Sequence, residues 1–489
     1  MTSGTRPIPP LPPTLVLEGA AQPFLFEMVA SHALQARPPG DPFIVGQSTT
    51  GTGGYDARME TDRLPAFLND IPFEPGRLAL VGGRLIDPGR RESERSDAAA
   101  DRPSTILIRD GRIEAVIGLD DGIPDDTRVI DVSELTVLPG LIDAHIHVSM
   151  LGDAGRGPAP GKGAEPIRPG VEAHLVGRTL RDLLRFGVTT IRDVRAHGDA
   201  LLDARQAVRY GAFDAPRMLL CGRIVSATAP GARFFPGMYR EADGPDGVRR
   251  AVREQIRAGA DFVKVMTTGA RSVELENPEP AQLTADELNA FVDEAHRQTY
   301  RTAAHCEGLA GTELAIEAGI DTIEHGFRLH ERPDLLDRMA DRGIVLVPTL
   351  DFLHQVVESE AWTPELQRQG IANLDQAQRT LDAARAAGVT IALGSDGVTA
   401  GGAARELARL VEHGVSASEA LSAGTRGSAV ALGVETVVGS LRPGDVADVV
   451  AVDGDPTADV GLLGRIERIA LVLHNGRQVG GTSPAARAD

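Results

Sequence analysis

An α/β fold is predicted: a (β/α)8 TIM barrel with a small β-sandwich domain built from both chain ends. Three observations predict it. Eight short apolar stretches alternate with helix-like ones across residues 137–434. β-rich segments flank that region on both sides. Eight β/α units in this span also suit a barrel, whose typical size is about 250 residues. The structural alternative is a doubly wound open sheet. No GxGxxG follows the first strand, which argues against it.

The elements follow in chain order. Residues 1–75 mix a proline-rich "RPIPPLPP", an apolar stretch and a turn-rich "GQSTTGTGG". They are expected to be an N-terminal extension, partly flexible or packed on the barrel. "LALVGGRLI" (78–86) and "STILIRDGRIEAVIG" (104–118) read as strands, with Asp110-Gly111 a strong hairpin signal. "ADVVAVDGDP" (447–456) and "RIALVLHNGRQVG" (468–480) return to that texture, with Asn475-Gly476 at the second turn. Residues 76–136 and 435–482 are therefore read as one composite β-sandwich, 137–434 as the barrel, and 483–489 as a tail. The eight barrel strands are expected at 137–148, 188–194, 217–222, 261–269, 301–306, 321–326, 344–350 and 390–396. Among the helices between them, "TADELNAFVDEAHRQ" opens with Thr284 and has Glu287 three residues on, a capping box.

Bulk composition bounds the function. The chain has 489 residues, 42% apolar and 4% aromatic, so its core should be aliphatic. The net charge of −19 disfavours a nucleic-acid partner, whose phosphates need a basic footprint. Two cysteines, Cys221 and Cys306, make neither a disulfide framework nor a CxxC motif. No apolar run approaches the roughly 20 residues of a membrane span. The N-terminus lacks the apolar core of a signal peptide. A cytoplasmic protein is expected, without nucleic-acid or membrane partners, taking a small-molecule substrate and forming a homo-oligomer.

Polar residues interrupt the apolar strands where a barrel carries its catalytic groups, at the C-terminal ends. His145 and His147 end the first strand. Lys264 lies late in the fourth, His305 ends the fifth, His325 the sixth and Asp396 the eighth. Strand side chains alternate, so His145 and His147 share the inward face while Ile146 faces the helices. Two neutral imidazoles on one face can grip one cation. Singly, each residue has an ordinary structural reading. Together they place six metal-capable groups at one mouth. An ammonium at Lys264 would be repelled by dications. It resolves either as a carbamate, formed from the neutral amine and carbon dioxide, or as a structural lysine pointing away.

"PGLIDAHIHV", "GVTTIRDV", "ADFVKVMTTG", "AAHCEG", "AGIDTIEHG", "VPTL" and "AAGVTIALGSDG" occur in this order. In these segments residues 76–482 resemble the amidohydrolase superfamily, specifically its imidazolonepropionase-like and prolidase-like branch of metal-dependent hydrolases. The resemblance implies two divalent ions, usually zinc. His145, His147 and Asp396 would hold the more buried ion, and His305 and His325 the other. A carbamylated Lys264, a carboxylysine, would bridge them together with a hydroxide. Asp396 would be the catalytic proton carrier. The sequence departs from the branch at Ala270, at Cys306 and Glu307 after the fifth-strand histidine, and in the loop after strand three. Residues 1–75 lie outside the resemblance.

The expected activity is hydrolysis of an amide C–N bond in a dipeptide, N-acyl amino acid or cyclic amide. The alternatives are lactone or phosphoester hydrolysis and a lyase or isomerase on the same metal site. A non-enzymatic scaffold is disfavoured because all six ligands are present. Arg192 and Asp193 are expected to brace the site. Tyr239, Arg328, Phe234 and Phe235 are candidates for substrate contact, Arg328 through a bidentate carboxylate pair. The remaining histidines of the barrel and C-terminal strands are assigned to surface or structural roles.

Overall fold

The computed structural model describes residues 71–482, except 89–102, 151–167, 196–198, 236, 272, 274–275, 360–361 and 398. The expected extension up to residue 70, the tail 483–489, the charged loop after the first strand and His197 lie outside the described residues.

Five strands come first: β1 (Arg77–Leu85), β2 (Pro103–Arg109), β3 (Arg112–Ile117), β4 (Thr127–Asp131) and β5 (Thr136–Pro139). The central region supplies β6 (Leu141–Ile146), β7 (Val188–Asp193), β8 (Arg217–Leu220), β9 (Ile224–Ser226), β10 (Tyr239–Glu241), β11 (Phe262–Met266), β12 (Arg301–Cys306), β13 (Thr322–His325) and β14 (Val345–Val347). β15 (Val449–Val452), β16 (Ile469–His474) and β17 (Arg477–Gly480) close the chain.

Strands from both chain ends form one eight-stranded sheet, in the order β17-β16-β15-β5-β1-β2-β3, with β4 also pairing β1. The strands of the expected small β-sandwich are thus hydrogen-bonded into one sheet. β1 changes partner along its length: its first half pairs with β4 and its end with β5. The ladder to β2 shifts register between Leu80 and Gly83. Leu78, Leu80, Ile106, Ile108, Val137, Val449, Leu471 and Leu473 share one buried cluster, which joins the two ends. Both hairpin turns use the residues that the sequence marks. Asp110 and Gly111 have φ of 50° and 79°, and Asn475 and Gly476 have 53° and 75°. These left-handed pairs match the right-handed twist of the flanking strands.

The expected first barrel strand divides at Gly140. Its first part, β5, pairs with β15 in the small sheet, while β6 pairs with β7. A side chain at 140 would meet Thr189 Oγ1 at 2.2 Å, so only glycine allows the crossing. β6-β7-β8 and β10-β9-β11-β12-β13-β14 form two parallel ladders. The expected eighth strand makes no ladder of its own. Residues 390–397 nevertheless link β14 to β6: Ala392 N donates to Leu346 O at 2.9 Å, Ala144 N to Leu393 O at 2.8 Å, and Asp396 N to His145 O at 2.8 Å. On the other side Asp261 N donates to Leu220 O at 2.7 Å. The result is a barrel-like ring without a continuous closed ladder. The loop expected after the third strand contains β9, β10 and a short helix, Gly231–Phe234.

Helices cover the ring's outer face. The helix Ala285–Arg297 begins at Thr284, and both hydrogen bonds of its capping box form with Glu287. Its buried Leu288, Phe291 and Ala295 recur at helical spacing and pack on Val263 and Val265 of β11. Inside the ring, Ala144, Phe262, Ala303, Val345, Val347 and Ala392 form one apolar cluster.

A buried ion pair joins the small sheet to the ring. Arg217, at the start of β8, meets Asp448 Oδ2 at 2.6 Å, and Asp448 Oδ1 accepts from Asn475 N at 2.8 Å. His474 lies beside them, and burial pushes its pKa from 6.5 down to about 4. A buried neutral histidine binds fewer protons than the same residue unfolded, so acid favours the unfolded chain. That depression corresponds to about 3 kcal/mol of stability lost as pH falls from 6.5 to about 4. The His474→Gln variant should show a flatter stability profile in this window. Denaturant unfolding at pH 7 and pH 4.5 tests this, and a slope equal to that of the parent would refute it.

Candidate active site

Strand ends bring the functional side chains together. Alternation carries the apolar floor upward into the polar rim. Phe262 lies two residues before Lys264, Ala303 two before His305, and Ala392 four before Asp396. β6 departs from strict alternation. Between Asp143 and Ile146 its register against β7 shifts, with two residues opposite one. Such a bulge re-aims side chains. Ala144 joins the interior cluster, while His145 and His147 both reach Asp396 and Ile146 packs in the outer core.

Asp396 is the meeting point. His147 Nε2 lies 2.7 Å and His145 Nε2 3.4 Å from its Oδ1, and His325 Nδ1 3.9 Å from its Oδ2. His145, His325 and Asp396 can each offer one ligand atom, all within 4.8 Å of one another. The His305 ring stands 4.6 Å from that of His325, centroid to centroid, and its Nε2 faces Glu307 Oε1 at 3.4 Å. Lys264 is buried in β11, in register with Ala303 of the neighbouring strand. Three of the six expected ligands therefore form the tight group, His147 joins it through Asp396, and His305 and Lys264 flank it.

Several local devices hold this arrangement. His325, Thr349 and Asp396 have φ of 70°, 54° and 46°, each a left-handed conformation costing about 1–3 kcal/mol outside glycine. The turn at His325 lets adjacent residues act together: Glu324 bonds His145 from behind while His325 stands in front. Thr349 Oγ1 bonds His325 Nδ1 at 2.8 Å. Asp143 accepts from Ser395 Oγ at 2.6 Å and from His145 N at 3.1 Å, tying the two segments that meet at the site. Gly394 has no room for a side chain, since a Cβ would lie 2.4 Å from Val347 Cγ1 and 2.6 Å from His145 Cβ.

The electrostatics are those of closely spaced, buried ionisable groups. Burial opposes ionisation of Asp396, but His145 and His147 override it and hold the carboxyl well below its usual range. Burial lowers the Lys264 ammonium pKa, against the pull of Glu324 and Asp396. Burial raises Asp193 to about 7, although Val148 N and Arg195 N donate to it. Arg192 braces the site from β7: it bonds Glu324 Oε1 at 2.7 Å, Ala144 O at 2.6 Å and Thr322 Oγ1 at 3.0 Å.

Phe234, Phe235 and Tyr239 pack on Ile224, Met238, Met266 and Val273. The Arg195 guanidinium stacks 4.8 Å from the Phe235 ring. Arg328 is already engaged by both oxygens of Glu331, 2.8 Å each, and by Glu279, so a substrate carboxylate would have to displace them. Sequence reasoning overlooked Glu324, Thr349 and the Arg271–Glu307 pair. The signal for Glu324 was an acid inside an apolar strand, next to a candidate ligand. Thr349 gave none, because its conformation alone brings it to His325.

The donor set fits a divalent ion. Imidazole nitrogen and carboxylate oxygen are the ligands zinc and similar metals select. One carboxylate gathers three imidazoles, and His147 Nδ1 is buried without a hydrogen-bond partner among the described residues.

Residues 136–479, which carry every one of these groups, match the model of the Amidohydrolase family. The chain belongs to the amidohydrolase family. It is accordingly an amidohydrolase enzyme. Among curated relatives, it is 30% identical over 424 residues to the imidazolonepropionase of Symbiobacterium thermophilum, covering 77% of this chain and 91% of the relative. It is 29% identical over 437 residues to the ochratoxinase of Aspergillus niger, covering 83% and 87%. Among solved structures, a Xaa-Pro dipeptidase with bound methionine aligns at a TM-score of 0.71 and 27% identity, over 83% of this chain and all of that one. The A. niger ochratoxinase structure aligns at 0.73 and 27%, over 84% and 98%. These neighbours place the ring among TIM-barrel-like folds.

The tightness at Gly394 gives a test of the geometry. The Gly394→Ala substitution should displace His145 and cost about 1–3 kcal/mol, the range for overpacking a filled core. Equilibrium unfolding measures it, and an unchanged midpoint with an unchanged slope would contradict the crowding.

Proposed function

We propose that this amidohydrolase uses two divalent ions, zinc by preference, to hydrolyse the C–N bond of a small amide. A dipeptide, an N-acyl amino acid or a cyclic amide fits best. The observation that carries the reading is Asp396, where imidazoles from β6 and the end of β13 converge on one carboxylate. The relatives' names add support, since they span a dipeptidase, an imidazolonepropionase and an ochratoxinase.

In this reading His145, His147 and Asp396 would hold one ion, and His305 and His325 the other. Lys264 would be a further ligand once carbamylated, its neutral amine adding to carbon dioxide to form an N–C bond and release a proton. Burial, which lowers its pKa, supports that neutral amine. The bound ions would supply Lewis acidity, acidifying water and polarising the scissile carbonyl. Asp396 takes the proton of the attacking water and delivers it to the leaving nitrogen. The apolar floor beneath the rim keeps bulk water from below. Arg192 and Glu324 keep His145 in place. Phe234, Phe235 and Tyr239 contribute an apolar and aromatic wall to the substrate pocket, and Arg328 contacts its rim. The small sheet, 76–136 with 435–482, supports the catalytic region 137–434.

Metal analysis of protein purified without chelator should find two ions per chain. A screen of dipeptides, N-acyl amino acids, lactones and phosphoesters should find amides turned over and label from solvent water in the acid product. Turnover confined to lactones or phosphoesters, or product without label, would overturn the proposal. The Asp396→Asn variant should lose about 10²–10⁴-fold in kcat, the usual worth of general acid–base help, while unfolding at a similar midpoint. Near-normal turnover with full metal content would remove Asp396 from that role.

A further inference from the structure

His145 is held from both edges of its ring. Its Nδ1 meets Glu324 Oε2 at 2.6 Å, while its Nε2 faces Asp396 Oδ1 at 3.4 Å. A neutral imidazole has one donor nitrogen and one acceptor nitrogen. A carboxylate can only accept, so the nitrogen beside Glu324 must carry the proton. In the neutral ring that binds an ion, the lone pair is then on Nε2, which faces the cluster with Asp396 and His325.

Glu324 is itself fixed on every side. It is fully buried, and its other oxygen accepts from Arg192 at 2.7 Å and Thr322 Oγ1 at 2.6 Å. The same guanidinium donates through Nε to Ala144 O, the carbonyl just before His145, at 2.6 Å. It also lies 5.3 Å from the centroid of the Phe262 ring. β6 and β13 share no ladder, yet Arg192 of β7 bonds both. One cation therefore spans the interior and sets the position of a histidine and of its partner carboxylate together. At His305, Nε2 has no hydrogen-bond partner among the described residues, and Glu307 Oε1 stands 3.4 Å from it.

We propose that Glu324, clamped by Arg192 and Thr322, is a positioning residue that fixes His145 in its Nδ1–H form and so makes Nε2 the nitrogen offered to a divalent ion. This rests on the reading of His145 as a ligand. Partners of this type orient metal-binding histidines, and their loss typically weakens metal affinity about 10–100-fold.

Two measurements test the proposal: zinc affinity by competition with a chelator, and ¹⁵N spectra of histidine-labelled protein with and without zinc. The His145 signals are assigned by their loss in His145→Ala. In the parent, Nδ1 should carry the proton in both states. Glu324→Gln, whose amide can donate as well as accept, should bind zinc about 10–100-fold more weakly and lose the fixed Nδ1–H signal. If that variant does not fold, Arg192→Lys and Thr322→Val carry the test. Each should weaken zinc binding several-fold and broaden or shift the same signal. Parent-like affinity and spectra in the folded variants, or an Nε2–H form in the parent, would overturn the proposal. His145→Ala separates the two levels. If it binds two zinc ions as tightly as the parent, the ligand reading itself fails. If it loses zinc while Glu324→Gln does not, only the positioning role fails.

Discussion

An isolated charge cannot be buried in an apolar cavity without a large penalty, and the upper part of this barrel is organised around that constraint. Arg192, Glu324, His145, Asp396 and His147 form a run in which the two carboxylates alternate with a guanidinium and two imidazoles. Each member satisfies its neighbour, and removing one would leave another unpaired in a dry interior. Strand ends that share no ladder must therefore stay in register with one another. The incomplete ladder of the ring makes this more important, because β6 and β13 are coupled through side chains.

The backbone pays for this convergence at a few positions. His325, Thr349 and Asp396 adopt left-handed conformations that β-strand residues avoid, and Gly394 gives up its side chain so that His145 can approach. The bulge in β6 re-aims two histidines from an edge where the residues before them fill the core. Strain concentrated at one rim, above a floor of Phe262, Ala303, Val345 and Ala392, is the pattern of a site kept rigid by packing underneath it.

Around this shared centre the chain has its own character. Glu307 stands two residues after His305 and pairs with Arg271, which also reaches Glu279, and Glu279 in turn holds Arg328. This run of alternating charges borders the outer side of the site, next to the apolar patch of Phe234, Phe235 and Tyr239. Among the described residues no helix is long and apolar enough to cross a membrane.

Periodicity and position made much of this legible beforehand. Strand alternation placed His145 and His147 on one face, polar residues at strand ends marked the rim, and Asp110-Gly111 and Asn475-Gly476 announced their hairpins, because these features depend on local backbone geometry. The capping box at Thr284 was equally local. The sequence could not give the division of the first barrel strand at Gly140, which depends on Thr189 of another strand. Nor could it give the short strands β9 and β10, whose three residues each are too few for a periodic signal. Glu324 and Thr349 gained their roles only when distant segments met, and Arg328 was seen as available until Glu279 and Glu331 were found upon it. Residue type and spacing determine which chemistry the chain can support. Which nitrogen faces which oxygen is settled by contacts between segments far apart in sequence, and only the folded chain brings those together.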